Sequence, residues 1–122
     1  MDLVRENNNT KYRIQSYNDK SLKVSNVIYT HSLILTPDNL LKWELDCIQD
    51  FDLQHVNLLL GFNPQIVIIG TGEQHFWLKQ EHLLRFYAQN IGIEVMDTKA
   101  ACRTYSILSS EGRQVVAALL LK

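Results

Sequence analysis

Long hydrophobic runs are missing from this sequence. The longest, residues 66–69 and 115–121, fall far short of the roughly 20 apolar residues that a membrane-spanning helix requires, which excludes such a helix. Cysteine is scarce: Cys47 and Cys102 are the only two. They are far apart, each beside apolar or small neighbours, so they are read as two buried thiols rather than a disulfide framework. Cys102 is the better candidate for reactivity, because it falls near the start of a predicted helix with Arg103 beside it, and both features favour a thiolate. A charge of one sign is lacking too. Twelve basic side chains stand against thirteen acidic ones, a formal net charge of −1, and no basic cluster is interleaved with aromatics, which excludes a nucleic-acid face. Residues 1–11 are polar and Asn-rich, without the apolar core of a secretion signal or the Arg-rich amphipathic pattern of an import sequence. The expected location is therefore cytoplasmic.

What is present fits a globular chain. With 122 residues, 46% hydrophobic and 20% charged, the composition predicts one domain with one core: a frayed start over residues 1–10 and a single α/β domain over 11–122. In the first half, "YRIQSY" alternates, "NDK" supplies a turn, and "SLKVSNVIY" returns as the second member of a strand pair. "HSLILTP" gives a third extended piece ending at Pro37, and a further strand is expected at 43–47. These strands are predicted to be short and mostly antiparallel.

From Asp52 the period changes. Leu53, Val56, Leu59 and Leu60 recur at helical spacing behind a capping Asp, with Gly61 at the expected stop. Residues 65–69 then form an unbroken β-branched strand, which implies burial on both faces. A second amphipathic stripe, Leu83, Leu84, Tyr87, Ala88 and Ile91, runs over 79–90 and is closed by Gly92. "IEVM" is the next strand. Asp97 or Thr98 caps a third helix whose inward face is Ala101, Cys102, Tyr105 and Leu108, with Gly112 as its stop, and "RQVVAALLL" is the closing strand. The second half is thus β-α-β-α-β. The crossover rule makes its first two strands parallel and brings Gly70-Thr71-Gly72 and Asp97-Thr98 to one rim, at the carboxyl ends where open α/β sheets bind ligands.

Two readings compete at that rim. Gly70, Thr71 and Gly72 either cradle an anion with backbone amides or make a tight turn after the strand. A dinucleotide fingerprint needs a third glycine where His75 stands, and no Gly-Lys-Ser/Thr follows. Asp97, Thr98 and Arg103 either complete the pocket, with Arg103 forking onto an anion, or cap and decorate the third helix. Phe76 and Trp77 either cover the core or form a patch for a partner. The four histidines show no metal-ligand spacing, no Gly-x-Ser-x-Gly elbow or nucleophile with a local base is present, and no cofactor is implied.

The stretch "IIGTGEQHFWL", followed by "GIEVMDTKAACRTYSILSSEGRQVVAALL", resembles the domain family of unknown function that includes the mitochondrial NADH:ubiquinone oxidoreductase complex assembly factor 3. The resemblance covers residues 11–121. It implies a three-layer domain with a central mixed β-sheet, no settled catalytic activity and, for the eukaryotic relatives, help in assembling respiratory complex I. One departure is Ser106, where family members usually carry Asn. The resulting expectation is a non-enzymatic α/β interaction domain whose partners are other proteins, respiratory-complex subunits among them, through residues 70–78 and 97–103. The alternative is a small-molecule or anion-binding protein with its pocket at the Gly-Thr-Gly and Asp-Thr loops. A third reading is a homo-oligomer built through an exposed edge of the N-terminal sheet or the apolar residues around Trp77.

Overall fold

The first three strands among the described residues form a sheet of their own, not hydrogen-bonded to the five-stranded one but packed against it. The computed structural model describes residues 11–18 and 20–121; the fraying expected over residues 1–10 lies outside them. Strands β1 (Ile14–Asn18), β2 (Ser21–Val24) and β3 (Val27–Tyr29) pair antiparallel in the order β1-β2-β3. The segment 21–29, expected as one strand, is a hairpin. Ser25 and Asn26 both take positive φ, 45° and 73°, and a two-residue turn with both central residues in that region matches the right-handed twist of its strands.

The second sheet has five strands: β4 (Leu33–Leu35), β5 (Leu40–Lys42), β6 (Ile66–Gly70), β7 (Gly92–Met96) and β8 (Val115–Leu119), in the order β5-β4-β8-β6-β7. β6 is parallel to both β7 and β8, whereas β4 is antiparallel to β5 and β8. The sheet is therefore mixed, as the resemblance implies. The strand expected at 43–47 does not form. Trp43 and Leu45 point inward at 3% exposure each while Glu44 and Asp46 stay out, which reproduces the alternation of a strand. The strand register ends at Lys42, and after one further bond, Trp43 N–H to Ser32 O at 2.8 Å, the alternation through Leu45 continues outside the strand.

Among the described residues are three α-helices and a short 3-10 turn at Ile48–Asp50. Asp52 caps α1 (Leu53–Leu60), its Oδ1 accepting from Leu53 N–H at 2.8 Å, while His55 Nδ1 accepts from Asp52 N–H at 2.9 Å. Gly61 does end α1, yet it is right-handed at φ −63°. The left-handed residue is Asn63, φ 54°, ahead of Pro64. α2 (Gln80–Tyr87) likewise ends before Asn90, φ 60°, and Gly92 opens β7 instead of closing the helix. α3 (Thr98–Ser110) begins at Asp97, whose Oδ1 accepts from Ala100 N–H at 2.9 Å, and stops at Gly112, φ +78°.

Alternation within the central strands divides the core. Val67, Ile69, Val116 and Ala118 pack with Val56, Leu59 and Phe86 from α1 and α2. Ile66, Ile68, Val115, Ala117 and Leu119 pack with Leu22 and Val24 of β2 and Ala101, Cys102 and Tyr105 of α3. The five-stranded sheet is the middle layer, and each fully buried aliphatic side chain within it contributes roughly 1.5–3 kcal/mol. Handedness explains why α2 and α3 lie on opposite faces. The chain steps from β6 outward to β7, then back across β6 to β8, and two right-handed crossovers in opposite directions require opposite faces.

Candidate functional site at the carboxyl rim of the sheet

The Gly-Thr-Gly and Asp-Thr exits do share one rim, and they are fastened to each other there. Gly70 is level with both Met96 and Leu119 in the register. A Cβ on Gly70 would lie 2.9 Å from Thr98 Oγ1, 3.0 Å from Thr98 Cα and 3.2 Å from Ala101 Cβ, so glycine is what lets the first turn of α3 sit against β6. Thr71 N–H donates to Met96 O at 2.8 Å and Thr71 Oγ1 donates to Gln74 O at 2.6 Å. Gly72, at φ 104°, donates its N–H to Thr98 Oγ1 at 2.8 Å, and its carbonyl accepts from Thr98 N–H at 2.8 Å. The Thr98 hydroxyl donates in turn to Leu120 O at 2.6 Å, and Leu120 N–H donates to Gly70 O at 3.0 Å.

Thr98 is completely buried and Thr71 nearly so. The amides of Thr71 and Gly72, the pair best suited to an incoming anion, are thus spent on a carbonyl and a hydroxyl of the same chain. Asp97 is occupied as a helix cap. Of the six residues grouped from sequence, the structure brings together Gly70, Thr71, Gly72, Asp97 and Thr98. Arg103 is exposed elsewhere, in a groove between β1 and α3.

Phe76 and Trp77 part company. Phe76 and Leu78 are half-buried against the core on the α1 and α2 side, whereas Trp77 between them is 83% exposed. Its ring stands edge-on to His75 with centroids 4.4 Å apart. Beside this loop is a cavity of about 320 Å³ whose lining includes Asp46, Cys47, Glu73, His75 and Phe76. Sequence reasoning missed this convergence, because residues 46–47 and 73–76 are joined only by the tertiary fold.

Both cysteine expectations need correction. Cys47 is exposed, because the irregular segment after β5 turns it outward. Cys102 is buried as expected, but no thiolate is favoured there: burial pushes its thiol up to about 12 against the smaller lowering by Arg103, with Asp97 raising it further. Tyr105 is pushed up to about 12 by burial alone, and its hydroxyl has no hydrogen-bond partner among the described residues. His82 is buried against Phe51, 5.7 Å between ring centroids, with Nε2 likewise unpartnered. Among the described residues no three His, Cys, Asp or Glu side chains converge as a metal ion would need, and no helix is long and apolar enough to cross a membrane.

A family model described as "Protein of unknown function (DUF498/DUF598)" matches residues 14–120. The chain belongs to the DUF498/DUF598 family. Within the curated relatives, the "13 kDa major membrane protein" of Francisella tularensis is 34% identical over 89 residues, covering 71% of this chain and 72% of that protein. The bovine NADH dehydrogenase (ubiquinone) 1 alpha subcomplex assembly factor 3 is 34% identical over 121 residues, 97% of this DUF498/DUF598 chain but 65% of the bovine protein. The chain therefore spans about two thirds of that relative's length. A Bordetella parapertussis crystal structure superposes with a TM-score of 0.86 at 31% identity, covering 93% of this chain and 98% of its own. A Bordetella pertussis solution structure, described as an Mth938-like domain, superposes at 0.78 with 27% identity, covering 98% and 92%. The family fold implied by the DUF498/DUF598 resemblance is the fold observed.

Proposed function

We propose that this DUF498/DUF598 domain is a non-enzymatic protein-interaction domain that aids assembly of a membrane-associated respiratory complex, binding subunits transiently from the cytoplasmic compartment. Its contact surface is the loop 70–78 together with the neighbouring start of α3. The observation that carries the reading is Trp77. An indole held at 83% exposure between two half-buried neighbours, Phe76 and Leu78, is presented by a fixed loop, and such aromatics supply most of the energy at protein interfaces. The fastened rim supports the same reading, since its hydrogen bonds hold the base of that loop and leave little for a ligand to recruit. The bovine relative's name, an assembly factor for the ubiquinone-reducing NADH dehydrogenase, supplies the class of partner.

The test is affinity capture of respiratory-complex subunits by the wild-type protein and by Trp77→Ala. The expected result is loss of captured subunits with an unchanged unfolding midpoint. Equal capture by both proteins would refute the role of this surface. A dimer that dissociates on Trp77→Ala in gel filtration would reassign the surface to a second copy of the chain.

A further inference from the structure

A second opening lies away from the rim. Between β1 and α3 runs a groove of about 470 Å³ whose lining includes Ile14, Tyr17, Lys99, Cys102, Arg103 and Ile107, a size within the range of about 300–1,000 Å³ typical of small-molecule sites. The lining is apolar at Ile14, Cys102 and Ile107 and uncharged polar at Gln15, Ser16 and Ser106. Cys102 is 5% exposed, and with its thiol pushed up to about 12 it carries no charge. Lys99, Arg103 and Ile107 are spaced four residues apart, so they form one stripe on α3 with two cations followed by an isoleucine. Ile107 is 60% exposed.

The direction of the groove follows from its neighbour. Tyr17 and Lys99 also line an adjoining cavity of about 360 Å³ with Gly72, Glu73 and Asp97. The Tyr17 end of β1 is therefore the cationic end, and Ile14 lies toward Ile107. Glu73 and Asp97 stand beyond Lys99 in that next cavity, and the Asp97 carboxylate is engaged with Ala100 N–H. Among the described residues no carboxylate lines the groove itself. A cationic head end and an apolar tail end suit an anionic amphiphile.

We propose that this groove binds a free aliphatic carboxylate of medium chain length, its carboxylate forked by the Arg103 guanidinium with Lys99 nearby and its chain lying toward Ile14 and Ile107. The fork favours a planar carboxylate. A peptide adding as a strand is disfavoured, because the β1 ladder is irregular between Ile14 and Ser16, and such irregularities spoil an edge for further pairing.

Titration calorimetry of the full chain with decanoate, below its micelle concentration, tests this. Decanol and acetate serve as comparators, with the variants Arg103→Gln, Arg103→Lys and Ile107→Glu. Both altered side chains are exposed, and unfolding midpoints check that each variant is folded. Decanoate is expected to bind the wild type, and Arg103→Lys, which keeps the charge but loses the fork, should weaken it by less than Arg103→Gln does. Arg103→Gln should weaken it about tenfold, the value of one charge-assisted contact, while leaving decanol unchanged, and Ile107→Glu should weaken decanoate and decanol alike. Acetate binding as tightly as decanoate would reduce the groove to an anion site and overturn the proposal. So would equal decanoate affinity in Arg103→Gln, or no decanoate binding to the wild type.

Discussion

Replacing Thr98 with Val keeps the volume of the side chain and removes one hydroxyl, the one that accepts from Gly72 N–H at 2.8 Å and donates to Leu120 O at 2.6 Å. The site is completely buried, so water cannot substitute. Two backbone groups lose a partner at once, each costing about 1–3 kcal/mol. Allowing for the added methyl, Thr98→Val should destabilise by about 3 kcal/mol, a large share of the roughly 5–15 kcal/mol that holds such a domain together. Thr98→Ser is the control. It keeps both hydrogen bonds and deletes one buried methyl, at about 1 kcal/mol. Urea unfolding followed by circular dichroism, with an unchanged slope in denaturant, reports both values. A Thr98→Val protein as stable as Thr98→Ser would refute the view that this hydroxyl fastens the two exits of the sheet.

Other positions give separable outcomes. Gly70→Ala should cost about 1–3 kcal/mol through overpacking, because the added carbon meets the Thr98 backbone at 3.0 Å; Gly112→Ala, at φ +78° with nothing within 4 Å, should cost only about 1 kcal/mol of backbone strain. Native protein treated with iodoacetamide at neutral pH should carry label on Cys47 alone, and peptide mass mapping that found Cys102 equally labelled would contradict its burial. Cys102 and Tyr105 rise from 9.0 and 10.0 to about 12 in the folded chain. The unfolded chain therefore loses these protons first, so stability is intact below pH 9 and falls from pH 9 to 12 by up to about 1.4 kcal/mol per unit for each group. Tyr105→Phe should flatten the portion above pH 10 and, by removing an unpartnered hydroxyl, leave stability at neutral pH unchanged or higher. Trp77→Ala should alter stability by less than about 0.5 kcal/mol, which a denaturation curve checks directly.

The second half of the fold was legible because its signals are local. Asp52 caps the helix it was expected to cap, of the two candidates Asp97 and Thr98 it is Asp97 that caps α3, and the β-branched run ending at Ile69 is buried on both faces. The first half was less so. In "SLKVSNVIY" the pair Ser25-Asn26 is of turn-forming type, but without a glycine the signal is weak against the flanking β-branched residues, and the positive φ values are fixed by the pairing of β2 with β3. Trp43 to Leu45 alternates correctly, but regular pairing with the neighbouring strand stops and leaves the Trp43 N–H bond to Ser32 O as its last tie, and neighbours are a property of the whole sheet. At the candidate site the shared rim was legible from topology. That its amides would be consumed internally was not, because the Gly72–Thr98 and Thr98–Leu120 hydrogen bonds join residues 26 and 22 positions apart. Cys47 failed for the same reason: its apolar neighbour Ile48 goes into the core at 6% exposure while the thiol remains outside.

β8 occupies the middle of the five-stranded sheet, between β4 and β6, although it is the last of the five along the chain. During synthesis, at roughly 5–20 residues per second, four strands emerge while the slot they flank is still empty, so the N-terminal pair and the parallel pair have no ladder between them. The closing contacts, such as Leu33 with Leu119, span most of the chain, and loop-closure entropy of that order makes them slow to form. Until β8 arrives, the nascent chain exposes two unpaired edges at once, which is when it most needs a chaperone and is most open to pairing with another copy of itself.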